Sequence, residues 1–205
     1  MQNKISDDKD TTRVQILVLG ALNILGSADD LVYIGPRGTL SEKNYWDGLK
    51  LVSSHSKSNI NFLKISNAKK GLDIKSPIKV SNTKIQFCSD NGIYVESSNN
   101  DLVEIENVSI RHCDNISILI EKGTVNLDWV DISRGGGIGL VNNTYGMVKI
   151  NNMKVHQNLD NGIVNYGHLT ASNIFISQNR HGVVLSPGIS IITYADIINC
   201  LLYTS

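Results

Sequence analysis

This chain of 205 residues contains few cysteines and prolines, three of each, and only 6% aromatic residues. Lys and Arg together equal Asp and Glu at 19 each, and no basic block exceeds Lys69-Lys70, which argues against a nucleic-acid partner. No apolar run approaches the length of a membrane span, and residues 1–12 lack the apolar stretch of a signal peptide. The sequence leaves two alternatives: either the protein is cytoplasmic or Met1 is not its natural start.

A repeating pattern of apolar residues organises the chain. In one unit, Ile78 to Val95, apolar pairs two residues apart are separated by polar corners, as in three short strands that each turn one face inward. The first apolar position of the unit, here called the anchor, recurs about every 22 residues, a spacing typical of stacked solenoid coils. The anchors are Ser58, Ile78, Val103, Val125, Val148, Leu169 and Ser190. The residues seven positions later are all β-branched, as inward strand positions favour: Ile65, Ile85, Ile110, Ile132, Val155, Ile176 and Ile197.

Two kinds of corner residue accompany the repeat. Asn recurs four positions after the anchor, and because Asn tolerates a left-handed backbone and can bond to the Asn above it, an internal Asn ladder is predicted. Its members are Asn82, Asn107, Asn152 and Asn173, interrupted by Trp129 and flanked by Phe62 and Tyr194. A Gly before the third strand, replaced by Asn115 in one coil, indicates a corner at positive φ. These glycines include Gly71, Gly92, Gly137, Gly162 and Gly182.

On this repeat, and on Trp46-Asp47-Gly48-Leu49 with the following Ile60 to Leu72, the chain resembles the right-handed parallel β-helix repeat family, the pectate-lyase-like superfamily. It is most similar to non-enzymatic bacterial members that are secreted or lie on the cell surface. The resemblance covers nearly all of residues 14–200. It implies an all-β, right-handed parallel β-helix with three short strands per coil and a secreted or cell-surface location.

The pattern predicts one domain with short flanking segments. Residues 1–12 form a polar lead-in that is predicted to be disordered, and residues 13–200 form the β-helix, with a loop insertion at residues 35–45. Residues 201–205 form a tail that resembles non-native sequence. The last coil is unfinished and apolar, so we expect further coils of a longer chain.

Corner carboxylates are the first candidates for chemistry. Asp90 and Asp114 are expected to stack one strand spacing apart, where two carboxylates could share a calcium ion. Arg134 in the next coil could instead pair with Asp114, and Asp-Asn-Gly is also ordinary turn chemistry. The structural interpretation is favoured, with calcium as the alternative and no other cofactor expected.

Two histidines are further candidates. His156 lies near Asp160, with Arg134 one coil before, and a His beside an Asp can transfer protons. An exposed polar His is the favoured alternative. Arg180-His181-Gly182 is similar to the Gly-His-Gly element of polygalacturonases, but the Asn-Thr-Asp and Asp-Asp elements that this resemblance implies do not occur, so an ordinary corner is favoured.

The cysteines Cys88, Cys113 and Cys200 all lie ten positions after an anchor, so Cys88 and Cys113 are expected on adjacent coils. The strand spacing does not exclude a disulfide between them. Stacked side chains point the same way rather than at each other, so small buried thiols are favoured.

Two functions from different classes fit the sequence. The first is a non-catalytic structural or binding module that presents a polar face to a glycan or a surface protein, and it is favoured because no catalytic constellation is evident. The second is a fragment of a polysaccharide-acting lyase or hydrolase, for which Asp90 and Asp114 are the motivation. The sequence therefore leans away from an enzyme without deciding the question.

Overall fold

The computed structural model describes residues 13–37, 43–52, 57–186 and 188–200. The regular elements of these residues are sixteen strands in one sheet. They are β1 (Gln15–Val18), β2 (Asn23–Leu25), β3 (Val32–Ile34), β4 (Gly48–Leu51), β5 (Ser58–Asn61), β6 (Leu63–Ser66), β7 (Leu72–Ile74), β8 (Ile78–Gln86), β9 (Asn91–Glu96), β10 (Leu102–Arg111), β11 (Ile116–Ser133), β12 (Ile138–His156), β13 (Ile163–Asn165), β14 (His168–Ser177), β15 (Val183–Leu185) and β16 (Ser190–Ile198). Residues 35–37 and 43–45 of the predicted loop insertion lie outside strands. The predictions for residues 1–12, 38–42 and 201–205 fall outside the described residues.

The strands wind into a parallel β-helix with three faces. Face A contains β2, β5, the middle of β11 and β12, and the first part of β8, β10, β14 and β16. Face B contains β3, β6 and the last part of β8, β10, β11, β12, β14 and β16. Face C contains β1, β4, β7, β9, β13, β15 and the first part of β11 and β12. All of these pairings are parallel, and the predicted all-β parallel β-helix is therefore confirmed.

The register between coils agrees with the predicted repeat on faces A and B. Ser58 pairs with Ile78, Ile78 with Val103, and the anchors continue in this way to Ser190. Six coil steps separate Ser58 from Ser190, an average of 22 residues. Equivalent residues thus lie directly above one another, about 4.8 Å apart.

The inward columns form a core of aliphatic side chains. The β-branched column from Ile65 to Ile176 is buried, whereas Ile197, on the last described coil, is 43% exposed. Each buried Ile, Leu or Val contributes about 1.5–3 kcal/mol relative to an exposed one. The repeat is therefore stabilised mainly by stacking like residues on like residues.

Two columns of single residues with left-handed backbone turn the chain between faces. The first, here called the A–B corner, has φ of 48–57° and consists of Phe62, Asn82, Asn107, Trp129, Asn152, Asn173 and Tyr194. The second, after face B, was missed at the sequence level, has φ of 54–60° and consists of Asn67, Phe87, His112, Arg134, Gln157, Gln178 and Asn199. Because one residue suffices at the A–B corner, β8, β10, β14 and β16 run from face A into face B, and β11 and β12 run through all three faces.

The predicted Asn ladder lies on the surface rather than inside. Asn107 is exposed, and its Nδ2 donates to Asn82 Oδ1 at 2.6 Å. Asn152 Nδ2 instead donates to Asp128 Oδ1 at 3.0 Å, so the ladder is not continuous. The prediction of an internal ladder is therefore wrong, because the left-handed corner turns its side chains outward.

Internal Asn ladders do occur, in other columns. Asn142 and Asn165 are fully buried, and Asn142 Nδ2 donates to Asn165 Oδ1 at 2.7 Å. Asn158 Nδ2 donates to Asn179 Oδ1 at 2.9 Å in the column that also holds Cys88 and Cys113. In each pair one amide donates to the other one coil away, which lowers the cost of burying these polar groups, although Asn142 Oδ1 itself has no hydrogen-bond partner among the described residues.

The glycine column before face C differs from the prediction in its members and in its backbone conformation. Face C pairs Ile118 with Leu140, so Ser117 and Gly139 occupy the column, not Asn115 and Gly137. None of Gly71, Gly92, Gly162 and Gly182 has positive φ, which among the described glycines occurs at Gly48 and Gly123. These glycines are required by close approach instead.

Gly71 illustrates that close approach and yields a test. A Cβ at Gly71 would lie 2.5 Å from the carbonyl oxygen of Gly92 and 2.7 Å from Ile85 Cγ2. We expect Gly71→Ala to lower the free energy of unfolding by about 1–3 kcal/mol, as overpacking does, in urea titrations. Gly20→Ala is the control, because its Cβ would meet nothing within 4 Å, and it should change stability by less than about 0.5 kcal/mol. Equal stability of the two variants would contradict this packing account.

Candidate functional site

A groove runs along face B, parallel to the axis of the β-helix. It encloses about 720 Å³. Its floor is formed by the outward side chains of face B, and its wall by the A–B corner. The floor residues include Lys64, Lys84, Ser109, Asp131, Gln86 and Arg111, and the wall residues are Phe62, Asn82, Asn107 and Trp129.

The repeat itself positions these side chains. The register pairs Lys64 with Lys84, Lys84 with Ser109, and Ser109 with Asp131, so that one floor residue comes from each of four coils. Successive residues are about 4.8 Å apart, and the row is therefore about 14 Å long. The groove follows directly from the winding of the chain.

Trp129 is the largest exposed side chain of the groove wall, at 61% exposure. Its backbone φ of 52° is a conformation that Asn favours and that an aromatic residue rarely adopts. A large flat side chain at a strained, exposed position is unlike the core residues that the fold requires. Exposed aromatic rings are common at binding surfaces, where they supply much of the contact area.

The charges of the floor are mixed but mainly positive. Lys64 Nζ lies 5.6 Å from the centroid of the Tyr33 ring, within cation–π range. Arg111 Nη2 lies 3.1 Å from Asp131 Oδ2, and His156 Nε2 lies 3.0 Å from Asp131 Oδ1. Asp131 is thus shared between a guanidinium and an imidazole, while two lysines lie on the same floor.

The two carboxylates of the predicted stack are offset by one position along the chain. Asn115 Nδ2 donates to Asp90 Oδ1 at 2.9 Å, and the backbone bonds place Asp114 in the row of Ser89. The Asp114 carboxylate is held by Lys43, so the suggested pairing with Arg134 is also wrong. Within the described residues no three His, Cys, Asp or Glu side chains converge as metal ligands. Calcium at Asp90 and Asp114 stays a prediction, without a converged ligand set to support it.

The other predicted residues are scattered. Arg134 Nε donates to Gln157 Oε1 at 3.3 Å, within the second left-handed column. The carboxylate partner of His156 is Asp131 rather than Asp160. His181 Nδ1 lies 2.6 Å from Asn161 Oδ1 at the corner before face C. Of the predicted residues, only His156 contacts the floor of the groove.

A separate polar network lies on face C. Lys70 Nζ lies 4.1 Å from the Tyr94 ring centroid, Tyr94 Oη donates to Glu96 Oε2 at 3.3 Å, and Lys75 Nζ donates to the same oxygen at 2.8 Å. Burial raises the pKa of Tyr94, and the bond from Lys75 lowers the pKa of Glu96. Burial also raises the pKa of Asp73, although Lys70 opposes it. The charges of this network are largely compensated internally.

The thiols behave as the sequence predicts. Cys88 and Cys113 are buried and free. The hydrogen bond with Cys113, together with burial, raises the pKa of the Cys88 thiol well above its ordinary value. Both thiols pack within the hydrophobic core.

The residues that line the groove were missed at the sequence level. Four of the floor residues form the outward column six positions after the anchors, namely Lys64, Lys84, Ser109 and Asp131, and this column has no residue type in common. Nothing in the described part of the chain forms a helix that could cross a membrane.

Comparison with known proteins supports the fold alone. No protein-family model and no curated protein sequence matches the chain. Among solved structures, the chain is similar to one titled "Crystal structure of pectate lyase Pel9A", with a TM-score of 0.60 and 11% sequence identity, over 93% of this chain and 68% of that one. The chain thus shares the parallel β-helix fold with a polysaccharide lyase.

Proposed function

We propose that the chain is a non-catalytic binding module of a secreted or cell-surface protein, and that it binds an acidic polysaccharide along the groove of face B. The observation that carries the proposal is Trp129, an exposed aromatic ring in a groove whose floor also holds Lys64, Lys84 and Arg111. Sugar rings present apolar faces that pack on aromatic rings, and their carboxylates pair with Lys and Arg. A groove parallel to the axis suits an elongated chain of repeating units.

The charge of the groove favours an acidic rather than a neutral glycan. The groove lining contains three cationic side chains, Lys64, Lys84 and Arg111, and one carboxylate, Asp131. Arg111 already contacts this carboxylate. Two lysines therefore remain on the floor for ligand carboxylates. The fold neighbour is by its title a pectate lyase, and pectate is such an acidic polysaccharide. Polygalacturonate is accordingly the ligand to test first.

Replacing Trp129 by Asn removes the ring while keeping a residue that suits the left-handed backbone. We expect Trp129→Asn to weaken binding of polygalacturonate about tenfold, because loss of a central aromatic anchor typically costs more than about 1 kcal/mol. Isothermal titration calorimetry measures the affinity, and urea unfolding is expected to show no loss of stability.

Tyr194→Asn is the matched control for this experiment. Tyr194 belongs to the same A–B corner with φ of 52° and is 83% exposed, but it does not line the groove. Its replacement should leave the affinity unchanged. Absence of polygalacturonate binding by the native chain, or equal affinity losses in the two variants, would refute the proposed site.

A polysaccharide-acting lyase or hydrolase is the second candidate, favoured by one observation. Asp131 lies between His156 and Arg111 at the groove floor, an arrangement in which His156 could act as an acid or base. Incubation with polygalacturonate, followed by assays for unsaturated products and new reducing ends, separates the candidates. Product that disappears in Asp131→Asn would establish the enzyme, whereas binding without product supports the binding module.

A further inference from the structure

The first coil differs from the others at the A–B corner. Leu25 pairs with Asn61, and Val32 pairs with Leu63. In the second coil Phe62 alone joins these positions, whereas in the first coil the six residues from Gly26 to Leu31 do so. We call this segment the first-coil loop. It replaces a one-residue turn by a protruding structure beside the groove.

The first-coil loop is tied to the second coil at both ends. Gly26 N donates to Asn61 O at 3.0 Å, and Val32 N donates to Phe62 O at 2.9 Å. Within the loop, Ser27 N donates to Asp30 O at 3.0 Å, and Asp30 N donates to Ser27 Oγ at 3.1 Å. These bonds hold the loop in one place against the groove wall.

The loop borders the groove at its N-terminal end. Ala28 and Leu31 line the groove next to Phe62 and Lys64. Leu31 and Lys64 also line a separate depression on the first coil, together with Tyr33. Leu31 and Lys64 thus border both depressions along face B.

At the opposite end of the groove the A–B corner keeps its single-residue turn. Beyond Trp129 the corner column continues with Asn152, again a single residue with φ of 53°. Beyond Asp131 the floor row continues with Lys154, which is exposed. The six-residue loop therefore borders one end of the groove, and single-residue corners continue beyond the other end.

From this asymmetry we propose that the groove binds the end of a polysaccharide chain rather than an internal stretch. This inference rests on the proposed glycan-binding function of the same groove. The terminal sugar lies against Leu31 and Phe62, and the following sugars lie over the lysines towards Trp129. The row of about 14 Å holds a short terminal segment, and the rest of the polymer continues past Lys154.

The number of protein molecules bound per polysaccharide chain distinguishes the two modes. Oligo- and polygalacturonates of increasing defined length are titrated with the protein in a calorimeter, and stoichiometry is plotted against length. End binding predicts one protein per chain at every length, since each chain has one end of the required polarity. Internal binding predicts a number that rises in proportion to length.

The decisive variant replaces the six residues of the first-coil loop by a single Asn, which restores the corner found at Asn82 and Asn107. We expect several molecules of this variant to bind to each long polysaccharide chain. Asp29→Ser, a substitution at an exposed residue of the loop, is the control, and its stoichiometry should stay at one protein molecule per polysaccharide chain. Leu31→Ala provides a second variant that leaves the backbone intact, and it should also raise the stoichiometry on long polymers.

The outcomes separate this inference from the function on which it rests. A native stoichiometry that rises with polymer length, with affinity still dependent on Trp129, would overturn end binding and leave the groove as a glycan site. One protein per chain in both the native protein and the two loop variants would show that the loop does not block the groove. No binding at any length would remove both proposals.

Discussion

The parallel hydrogen-bonded ladder between successive coils is the constraint on which the rest of the structure depends. Because each coil lies in register on the one before, every residue is stacked on its equivalents, and a column of residues has one environment. Inward columns become the aliphatic core, left-handed columns become corners, and outward columns become surface rows. The groove on face B is one such outward row beside one such corner, so the fold and the candidate site have the same origin.

The sequence predicts well whatever every coil must satisfy. The column from Ile65 to Ile197 was recognisable because inward strand positions favour β-branched residues in each turn. The left-handed A–B corner was recognisable because Asn occupies it in four coils. The second left-handed column was not, since Phe87, His112, Arg134 and Gln157 share no local preference for that conformation. There the ladder imposes the backbone, at a cost that core burial offsets.

The register of the strands on face C could not be predicted from the apolar pattern. Strand side chains alternate with a period of two, so an alignment shifted by two residues keeps every side chain on its correct face. Gly137 and Gly139 were therefore interchangeable in the sequence, and only the pairing of Ile118 with Leu140 separates them. The pair of Asp90 and Asp114 failed because Asp90 lies five residues after Ile85 and Asp114 only four after Ile110, so that Asn115 stands opposite Asp90. The groove was hidden because its members matter as neighbours across coils, where Asp131 meets His156, and not as a motif along the chain.

A crystal structure of the chain bound to a short oligogalacturonate tests the central claim most directly, namely that face B is the ligand-binding face. We predict sugar density in the groove, with one ring packed on Trp129 and carboxylates near Lys64 or Lys84. Density on face C beside Tyr94, with the face B groove free of sugar, would contradict the account.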